Sequence, residues 1–259
     1  MPVNSEVSTI QGPSIDRPEH SLPVNELFYS LQGEGRFAGV PSVFVRTSGC
    51  NLRCWYCDSY HTSWEPTHAW MDLDAIIDEV QRYDRAEHIV LTGGEPLIHH
   101  EAGSLLDRLD ELGYHLTVET NGTVFCDAPI DLVSISPKLA SSIPTPEMDP
   151  IGDGNWEERH NKRRIDIDVL ARLVDTYESQ LKFVVTDGAD MAEITHIVNR
   201  IREASETEIR DSAVFLMPEG MTSDRLAETR PLTAELAMEY GYRYTPRLHV
   251  NLWEDAPGR

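Results

Sequence analysis

Three cysteines are the residues best suited to chemistry, and they fall within eight positions of one another. Cys50, Cys54 and Cys57 follow the spacing C-x3-C-x2-C, whereas the fourth cysteine, Cys126, stands apart. Such local clustering predicts a metal site rather than disulfides. We interpret Cys126 as a buried or partly buried small residue, because free cysteine commonly packs as a hydrophobe.

Thiolates bind both zinc and iron–sulfur clusters, so two kinds of site compete for these cysteines. A structural zinc ion takes four ligands, commonly two separated cysteine pairs, and the second pair is missing here. Neither His61 nor Cys126 completes a usual zinc spacing. Three thiolates on a four-iron cluster leave one iron open, as is typical of a catalytic centre. The spacing favours a redox enzyme, with a non-enzymatic zinc-binding module as the alternative.

Further polar segments end predicted strands downstream. In the TGGEP segment at residues 92–96, two glycines let the backbone approach a ligand, although taken alone the segment is better interpreted as a turn whose glutamate caps a helix. The segments at residues 119–122 and 136–138 end the next two strands. Only three of the 22 basic residues are lysines, and two of them, Lys138 and Lys182, lie near strand ends. Their retention in a lysine-poor chain indicates a function.

Strands and helices that would position these segments alternate along the chain. The strands are predicted at residues 25–31, 42–47, 88–92, 114–119, 132–136, 181–186, 213–217 and 242–245. Apolar residues recur at helical spacing over 73–80, 105–112, 167–174 and 194–201, and a shorter last helix is predicted around 232–236. About six βα units fit between residues 42 and 217, which favours an α/β fold with a partial (β/α)6 barrel over a flat doubly wound sheet. In either fold, ligands gather at the carboxyl ends of the strands.

The predicted organisation is one domain over residues 23–259. Residues 1–22 are polar and are expected to form a loosely ordered leader. An insertion near residues 141–161, with three prolines and two glycines, is predicted to be a long loop. No apolar run approaches the ~18 residues of a membrane span, and no secretory signal is recognisable, so we expect a cytoplasmic protein.

The formal charge of −22 comes from 44 acidic residues against 22 basic ones. Such a surface repels nucleic acid and anionic membranes, so neither is expected as a partner. High acid content with few lysines suggests a halophilic source, in which hydrated carboxylates keep proteins dissolved.

The C-x3-C-x2-C motif, with Tyr56 just before its third cysteine, resembles that of the radical S-adenosylmethionine superfamily. The Gly-Gly-Glu-Pro segment at residues 93–96 falls one βα unit later, as in that superfamily. The resemblance implies a [4Fe-4S] cluster whose open iron binds S-adenosylmethionine, which is cleaved on reduction to a 5′-deoxyadenosyl radical. It also implies an electron donor such as flavodoxin or ferredoxin.

Additional segments resemble the 7-carboxy-7-deazaguanine synthases within that superfamily. They are FYSLQGEG at 28–35, FVR at 44–46, CDS at 57–59, SPK at 136–138, LKFVV at 181–185 and RLH at 247–249. The resemblance implies a lyase that converts 6-carboxy-5,6,7,8-tetrahydropterin to 7-carboxy-7-deazaguanine and ammonia, for queuosine or archaeosine. It also implies Mg²⁺ and a homodimer. The activases of glycyl-radical enzymes share the cysteine motif, lack the LQGEG strand, and are the nearest alternative.

The resemblance also assigns roles to individual residues. Cys50, Cys54 and Cys57 would ligate the cluster, and Ser59 would ligate Mg²⁺. Contacts to the substrate would come from Leu31, Gln32, Gly33, Glu34, Arg46, Thr92 and His249. Contacts to S-adenosylmethionine would come from Tyr56, Cys57, Asp58, Gly94, Ser136, Pro137 and Lys138. Arg46 suits a substrate carboxylate, because guanidinium pairs with it bidentately. The loop at residues 217–220 matches an adenosyl-contacting loop only loosely.

Overall fold

The computed structural model describes residues 8–9, 18–148, 155–254, 256 and 258. Ten strands are found among these residues, and all belong to one sheet. Their bounds are β1 Ser8–Thr9, β2 Ser21–Leu31, β3 Pro41–Thr47, β4 Thr67–Asp72, β5 His88–Gly93, β6 His115–Thr120, β7 Leu132–Ile135, β8 Ser179–Val185, β9 Val214–Pro218 and β10 Arg243–Tyr244.

The sheet has a parallel body and an antiparallel edge. Its strand order is β1-β4-β2-β3-β5-β6-β7-β8-β9-β10. All pairs from β3 to β10 are parallel, whereas β2 pairs antiparallel with both β3 and β4. In the described part of the chain, β1 and β10 form the two free edges, so the sheet does not close into a barrel.

Eight α-helices lie among the described residues. Their bounds are α1 Tyr60–Ser63, α2 Leu73–Gln81, α3 Glu101–Glu111, α4 Trp156–Arg163, α5 Ile167–Thr176, α6 Asp190–Ala204, α7 Ser223–Tyr240 and α8 Leu248–Trp253. The Asp72 side chain caps α2 by accepting a 2.8 Å hydrogen bond from Ala75 N, and Asp166 caps α5 in the same way. The apolar faces of α2, α3, α5 and α6 are buried against the sheet in one core.

The sheet curves so that side chains from distant strands meet on its inner face. Lys182 Nζ on β8 lies 2.5 Å from Glu34 Oε2, which follows β2 on the other side of the sheet. Gln180, also on β8, accepts a 2.8 Å hydrogen bond from Arg36 N. A flat sheet would keep β2 and β8 five strands apart, and the curvature therefore agrees with a partial barrel.

Each of the eight predicted strands is confirmed within a few residues at its ends, as are the four predicted amphipathic helices. β1 and β4 were not predicted. The helix predicted around residues 232–236 is not short, because α7 spans 18 residues and continues through Pro231, and α8 follows it. Leu112, predicted on the apolar face of α3, is 46% exposed because it caps the end of that helix.

Two predicted boundaries need correction. The leader was expected to reach residue 22, but Ser21 and Leu22 are buried in β2, where they pair with β4; residues 1–7 and 10–17 lie outside the described residues. The insertion near 141–161 is not a continuous loop, because α4 begins at Trp156. Residues 149–154 within it also lie outside the described residues.

Replacing Leu105 with alanine should lower the free energy of unfolding by about 2–5 kcal/mol, because it empties a fully buried position of α3. Denaturant unfolding followed by circular dichroism measures the change. Leu112→Ala is the matched control, since it removes the same atoms from the same helix at an exposed position. Equal losses in the two variants would contradict the assignment of the α3 core face.

Candidate functional site

A cavity of about 630 Å³ opens at the carboxyl ends of the parallel strands. Of the 17 residues to which a role was assigned from the sequence, 16 line this cavity: Leu31, Gln32, Gly33, Glu34, Arg46, Cys50, Cys54, Tyr56, Cys57, Asp58, Ser59, Thr92, Gly94, Ser136, Lys138 and His249. Pro137 is buried and does not line the cavity. The late loop, residues 217–220, also contributes to the wall.

The cysteine loop joins β3 to α1 and is held by backbone hydrogen bonds. Gly49 N donates to Thr62 O at 2.7 Å, and Gly49 O accepts from Glu95 N at 2.9 Å. The Trp64 indole donates to Cys54 O at 3.0 Å. These bonds place Cys50, Cys54 and Cys57 on one wall of the cavity.

The three thiols fit an iron–sulfur cluster. All three are free of disulfides, and burial raises the pKa of the Cys50 thiol to about 12 and also raises the pKa of the Cys54 and Cys57 thiols. Buried thiolates need cations beside them, and cluster iron provides these. Among the described residues, no three His, Cys, Asp or Glu side chains converge as ligands of a single ion. Three soft thiol ligands on one wall of the cavity suit an iron–sulfur cluster.

The Gly-Gly-Glu-Pro segment sits directly against the cysteine loop. A Cβ on Gly94 would lie 2.2 Å from Gly49 O and 2.9 Å from Cys50 Cβ, so only glycine allows this approach. Gly93 has φ +140° and packs equally closely on Thr47. The segment therefore brings unobstructed backbone to the edge of the cluster site.

Glu95 points away from the cavity and connects the ends of two strands by hydrogen bonds. Its carboxylate accepts hydrogen bonds from Leu97 N at 3.1 Å, Asn121 N at 2.7 Å and the Thr120 hydroxyl at 2.9 Å. Burial raises the pKa of Glu95 to about 7, although these donors act in the opposite direction. The expectation that this glutamate caps the next helix is confirmed, because Leu97 N lies in the first turn after it.

A chain of charged residues lines the cavity, and its two cations, Lys182 and Arg247, are buried. Glu34 contacts Lys182 Nζ at 2.5 Å and Arg247 Nε at 3.1 Å. Lys182 also lies 3.2 Å from Glu119 Oε1, and Arg247 binds Asp58. Burial raises the pKa of Glu34, but Lys182 and Arg247 more than offset this and hold it far below its usual range. The carboxylate is therefore ionised and accepts hydrogen bonds at any physiological pH.

Arg46 lies at the Asp58 end of this charge chain, beside the aromatic residues Phe28 and Phe44 of the cavity. Its Nη1 donates to Ser59 Oγ at 2.8 Å, and its Nε lies 3.4 Å from Glu26 Oε2. The guanidinium stands 5.5 Å from the centre of the Phe28 ring, which stacks on Phe44. Ser59 Oγ also lies 3.2 Å from Asp58 Oδ1. Arg46 Nε is buried and makes no hydrogen bond of good geometry, so Glu26 is its ion-pair neighbour inside the wall of the cavity.

The remaining predicted residues occupy two places on the rim. Lys138 Nζ donates to Ser136 Oγ at 2.7 Å and Ser136 O at 3.0 Å, at the end of β7. His249, on α8, packs so closely on Gly33 that a Cβ there would lie 1.9 Å from His249 Nδ1. Leu248 N donates to Gly33 O at 2.9 Å, which fixes α8 to the LQGEG segment.

Five charged residues of the cavity were absent from the predicted site. Glu219 belongs to the loosely matched loop at residues 217–220, and the other four are Glu26, Glu119, Lys182 and Arg247. Signals for three of them were present in the sequence. Lys182 had been singled out by the scarcity of lysine, Glu119 begins a polar strand end, and Arg247 is two residues from His249. Glu26 gave no signal, because it is one polar residue in an ordinary strand pattern.

Comparison with known proteins identifies the family. The model of the radical SAM superfamily matches residues 44–160. A 7-carboxy-7-deazaguanine synthase from Halobacterium salinarum is 64% identical over 257 residues, which cover 99% of each chain. The chain belongs to the 7-carboxy-7-deazaguanine synthase family. Another member, from Rhodopirellula baltica, is 39% identical over 241 residues, covering 93% of this chain and 90% of that one.

A solved structure of the same family supports the fold. The crystal structure of QueE from Escherichia coli matches with a TM-score of 0.63 and 26% sequence identity, over 88% of this chain and 95% of that one. The predicted partial barrel of the radical SAM type is thus confirmed. Among the helices of the described residues, none is both long and apolar enough to cross a membrane.

Replacing Gly94 with alanine should reduce the iron bound after reconstitution by about tenfold or more. The added methyl group would overpack the contact with the cysteine loop and displace it, at a cost of roughly 1–3 kcal/mol. Iron analysis of the anaerobically reconstituted protein measures it. Gly188→Ala is the matched control, since nothing lies within 4 Å of a Cβ at that position. Full iron loading of G94A would show that the close approach is not needed for the site.

Proposed function

We propose that the chain is a radical SAM lyase that converts 6-carboxy-5,6,7,8-tetrahydropterin to 7-carboxy-7-deazaguanine with release of ammonia, in the formation of 7-deazapurines. One observation carries the proposal: the three cysteine thiols, Arg46 and the LQGEG segment open into the same cavity. The 64% identity over both whole chains supports this activity over that of a glycyl-radical activase.

Three thiolates would hold the cluster in this site. Cys50, Cys54 and Cys57 supply three soft ligands, and no fourth cysteine reaches the cavity among the described residues. Cys126 instead packs against the core. When bound, the cluster and S-adenosylmethionine supply a one-electron cleavage that starts a carbon-centred radical reaction. An electron donor such as flavodoxin or ferredoxin is part of the proposal.

The chain's own residues would hold S-adenosylmethionine on the cysteine side of the cavity. Backbone at Gly94 is free of side-chain obstruction, so its amide can approach the amino acid moiety closely. Tyr56 and Asp58 flank the third cysteine, and Ser136 with Lys138 stands at the end of β7. Pro137 would act by fixing the backbone between these two residues.

The pterin would contact both Arg46 and Glu34. Arg46 offers a guanidinium to the substrate carboxylate, which it can bind bidentately. The ionised Glu34 would accept hydrogen bonds from the amide and amino edge of the pterin, and the backbone of Leu31, Gln32 and Gly33 lines the same wall. Thr92 and His249 would contact the substrate from the strand end and from α8.

Mg²⁺ would bind at Ser59, whose hydroxyl lies 3.2 Å from the Asp58 carboxylate. Hard oxygen donors of this kind are those Mg²⁺ prefers. Arg46 now donates to the same hydroxyl and would release it on pairing with the substrate carboxylate. A homodimer, a cytoplasmic location and a halophilic source complete the proposal; the excess of 44 acidic over 22 basic residues supports the last of these.

The proposal is tested directly by anaerobic incubation of reconstituted protein with 6-carboxytetrahydropterin, S-adenosylmethionine, Mg²⁺ and dithionite, followed by mass spectrometry. Formation of 7-carboxy-7-deazaguanine is the expected result. Cleavage of S-adenosylmethionine without this product would support the radical chemistry but exclude 6-carboxytetrahydropterin as the substrate. A colourless protein that neither cleaves S-adenosylmethionine nor forms the product would support a zinc site at the cysteines instead.

Replacing Arg46 with alanine should lower kcat/KM for the pterin by about 30-fold or more, because removing one partner of a buried charge pair costs about 2–5 kcal/mol. Cluster absorbance and uncoupled cleavage of S-adenosylmethionine should persist. Arg82→Ala, which removes an exposed arginine, is the control. Loss of the cluster in R46A would contradict its assignment to the substrate carboxylate.

Replacing Lys182 with methionine should raise the pKa of Glu34, because one of the two cations that hold it low is removed. The glutamate then protonates as pH falls, so the acidic limb of the kcat/KM profile should move to higher pH than in the wild type. Lys162→Met, at an exposed site, should leave the profile unchanged. An unshifted limb in K182M would exclude ionised Glu34 as the substrate acceptor.

A further inference from the structure

The insertion packs on the cysteine loop on both sides of Cys54. Arg53 N donates a 3.0 Å hydrogen bond to His160 Nδ1, and Trp55 N donates a 3.1 Å hydrogen bond to Ser142 O. The Trp55 indole adds a 2.5 Å bond to Ser141 O. The amides that flank the buried cysteine are thus bound by residues more than 80 positions further along the chain.

The hydrogen-bond partners of His160 determine which of its ring nitrogens carries the proton. Because His160 Nδ1 accepts from an amide, the ring proton is on Nε2, which lies 2.8 Å from Ser142 Oγ. The Ser142 hydroxyl in turn donates to Leu139 O at 2.6 Å. His160 and Ser142 are both fully buried, and both ring nitrogens of His160 and the Ser142 hydroxyl are hydrogen-bonded. Burial lowers the pKa of His160 to about 4, which keeps the ring neutral.

A second contact joins α4 to the same loop. The Arg53 guanidinium stands 4.2 Å from the centre of the Trp156 ring on α4 and 6.0 Å from that of Trp64. Its Nη1 donates to Cys50 O and Leu52 O, both at 2.8 Å. The first turn of α4 therefore covers the arginine side chain that holds the carbonyls between the first two cysteines.

We propose that the described ends of the insertion, residues 141–148 and 155–161, form a clamp on the cysteine loop and that His160 is its positioning residue, which holds the Arg53–Trp55 backbone in the conformation that retains the cluster. This role is separate from the substrate: the inference rests on cluster binding within the proposed function and not on the pterin. His160 does not line the cavity, so it acts through Arg53 and not by contact with the cluster.

Cluster retention in three variants tests the clamp. His160→Asn keeps an acceptor near the place of Nδ1, whereas His160→Leu removes both ring nitrogens. Lys162→Ala changes an exposed residue of the same helix and is the matched control. Each protein is reconstituted anaerobically, an iron chelator is added, and the decay of cluster absorbance is followed. The melting temperature of each apo protein is measured in parallel.

The clamp predicts that H160L loses its cluster about fivefold faster than K162A, the factor expected for one buried hydrogen bond. H160N should remain within about twofold of K162A, since the Arg53 amide keeps its acceptor. Both His160 variants should melt lower than wild type, because both lose the contact to Ser142. Decay in H160L at the K162A rate, or decay in H160N as fast as in H160L, would overturn the proposal.

Ser142→Ala provides the same comparison if H160L does not fold. It removes the hydroxyl that fixes the ring and leaves the Ser142 carbonyl on Trp55 N in place. Faster cluster loss than in K162A, together with iron loading equal to wild type at the start, supports the clamp. Decay equal to that of K162A would exclude it. No outcome depends on product formation, so failure of the clamp and failure of the proposed lyase activity are distinguishable.

Discussion

The contact between the Lys182 ammonium and the Glu34 carboxylate joins two sides of a sheet whose edges do not pair with each other in the described part of the chain. Charges removed from water require partners, and removal of one partner leaves the other uncompensated. Arg247 extends the pairing from Glu34 to Asp58 beside the cysteines. Electrostatic contacts, instead of strand pairing, therefore set the width of the cavity.

The strands could be predicted from the sequence because buried parallel strands are short apolar runs between helices. β4 was missed, since its sequence THAWMD is mixed in polarity and most of its residues are only partly buried. α7 begins well before the predicted residues 232–236, and Pro231 lies inside it although proline removes one hydrogen bond of a helix. α4 has the sequence WEERHNKR with a single buried residue, His160, and so shows no apolar spacing.

The candidate site was easier to predict than the contacts that hold it. Its cysteines, glycines and the LQGEG segment are local motifs, and their neighbours along the chain lie beside them in the cavity. The partners of Asp58 and Arg53 are 189 and 107 residues away, and no local pattern indicates such pairs. The scarcity of lysine was informative about Lys182. In a chain that uses arginine for most of its basic residues, each lysine that is present points more strongly to a specific role.

The positions of these partners along the chain set the order in which the site can be completed during synthesis. The cysteines emerge from the ribosome long before His160, and the Arg247 that binds Asp58 emerges later still. A growing chain thus carries its three thiols on a loop that lacks both its clamp and the Arg247 wall of the cavity. The site is therefore complete only after Arg247 has been synthesised, and a chain that stops before this residue carries its thiols without the contacts that enclose them.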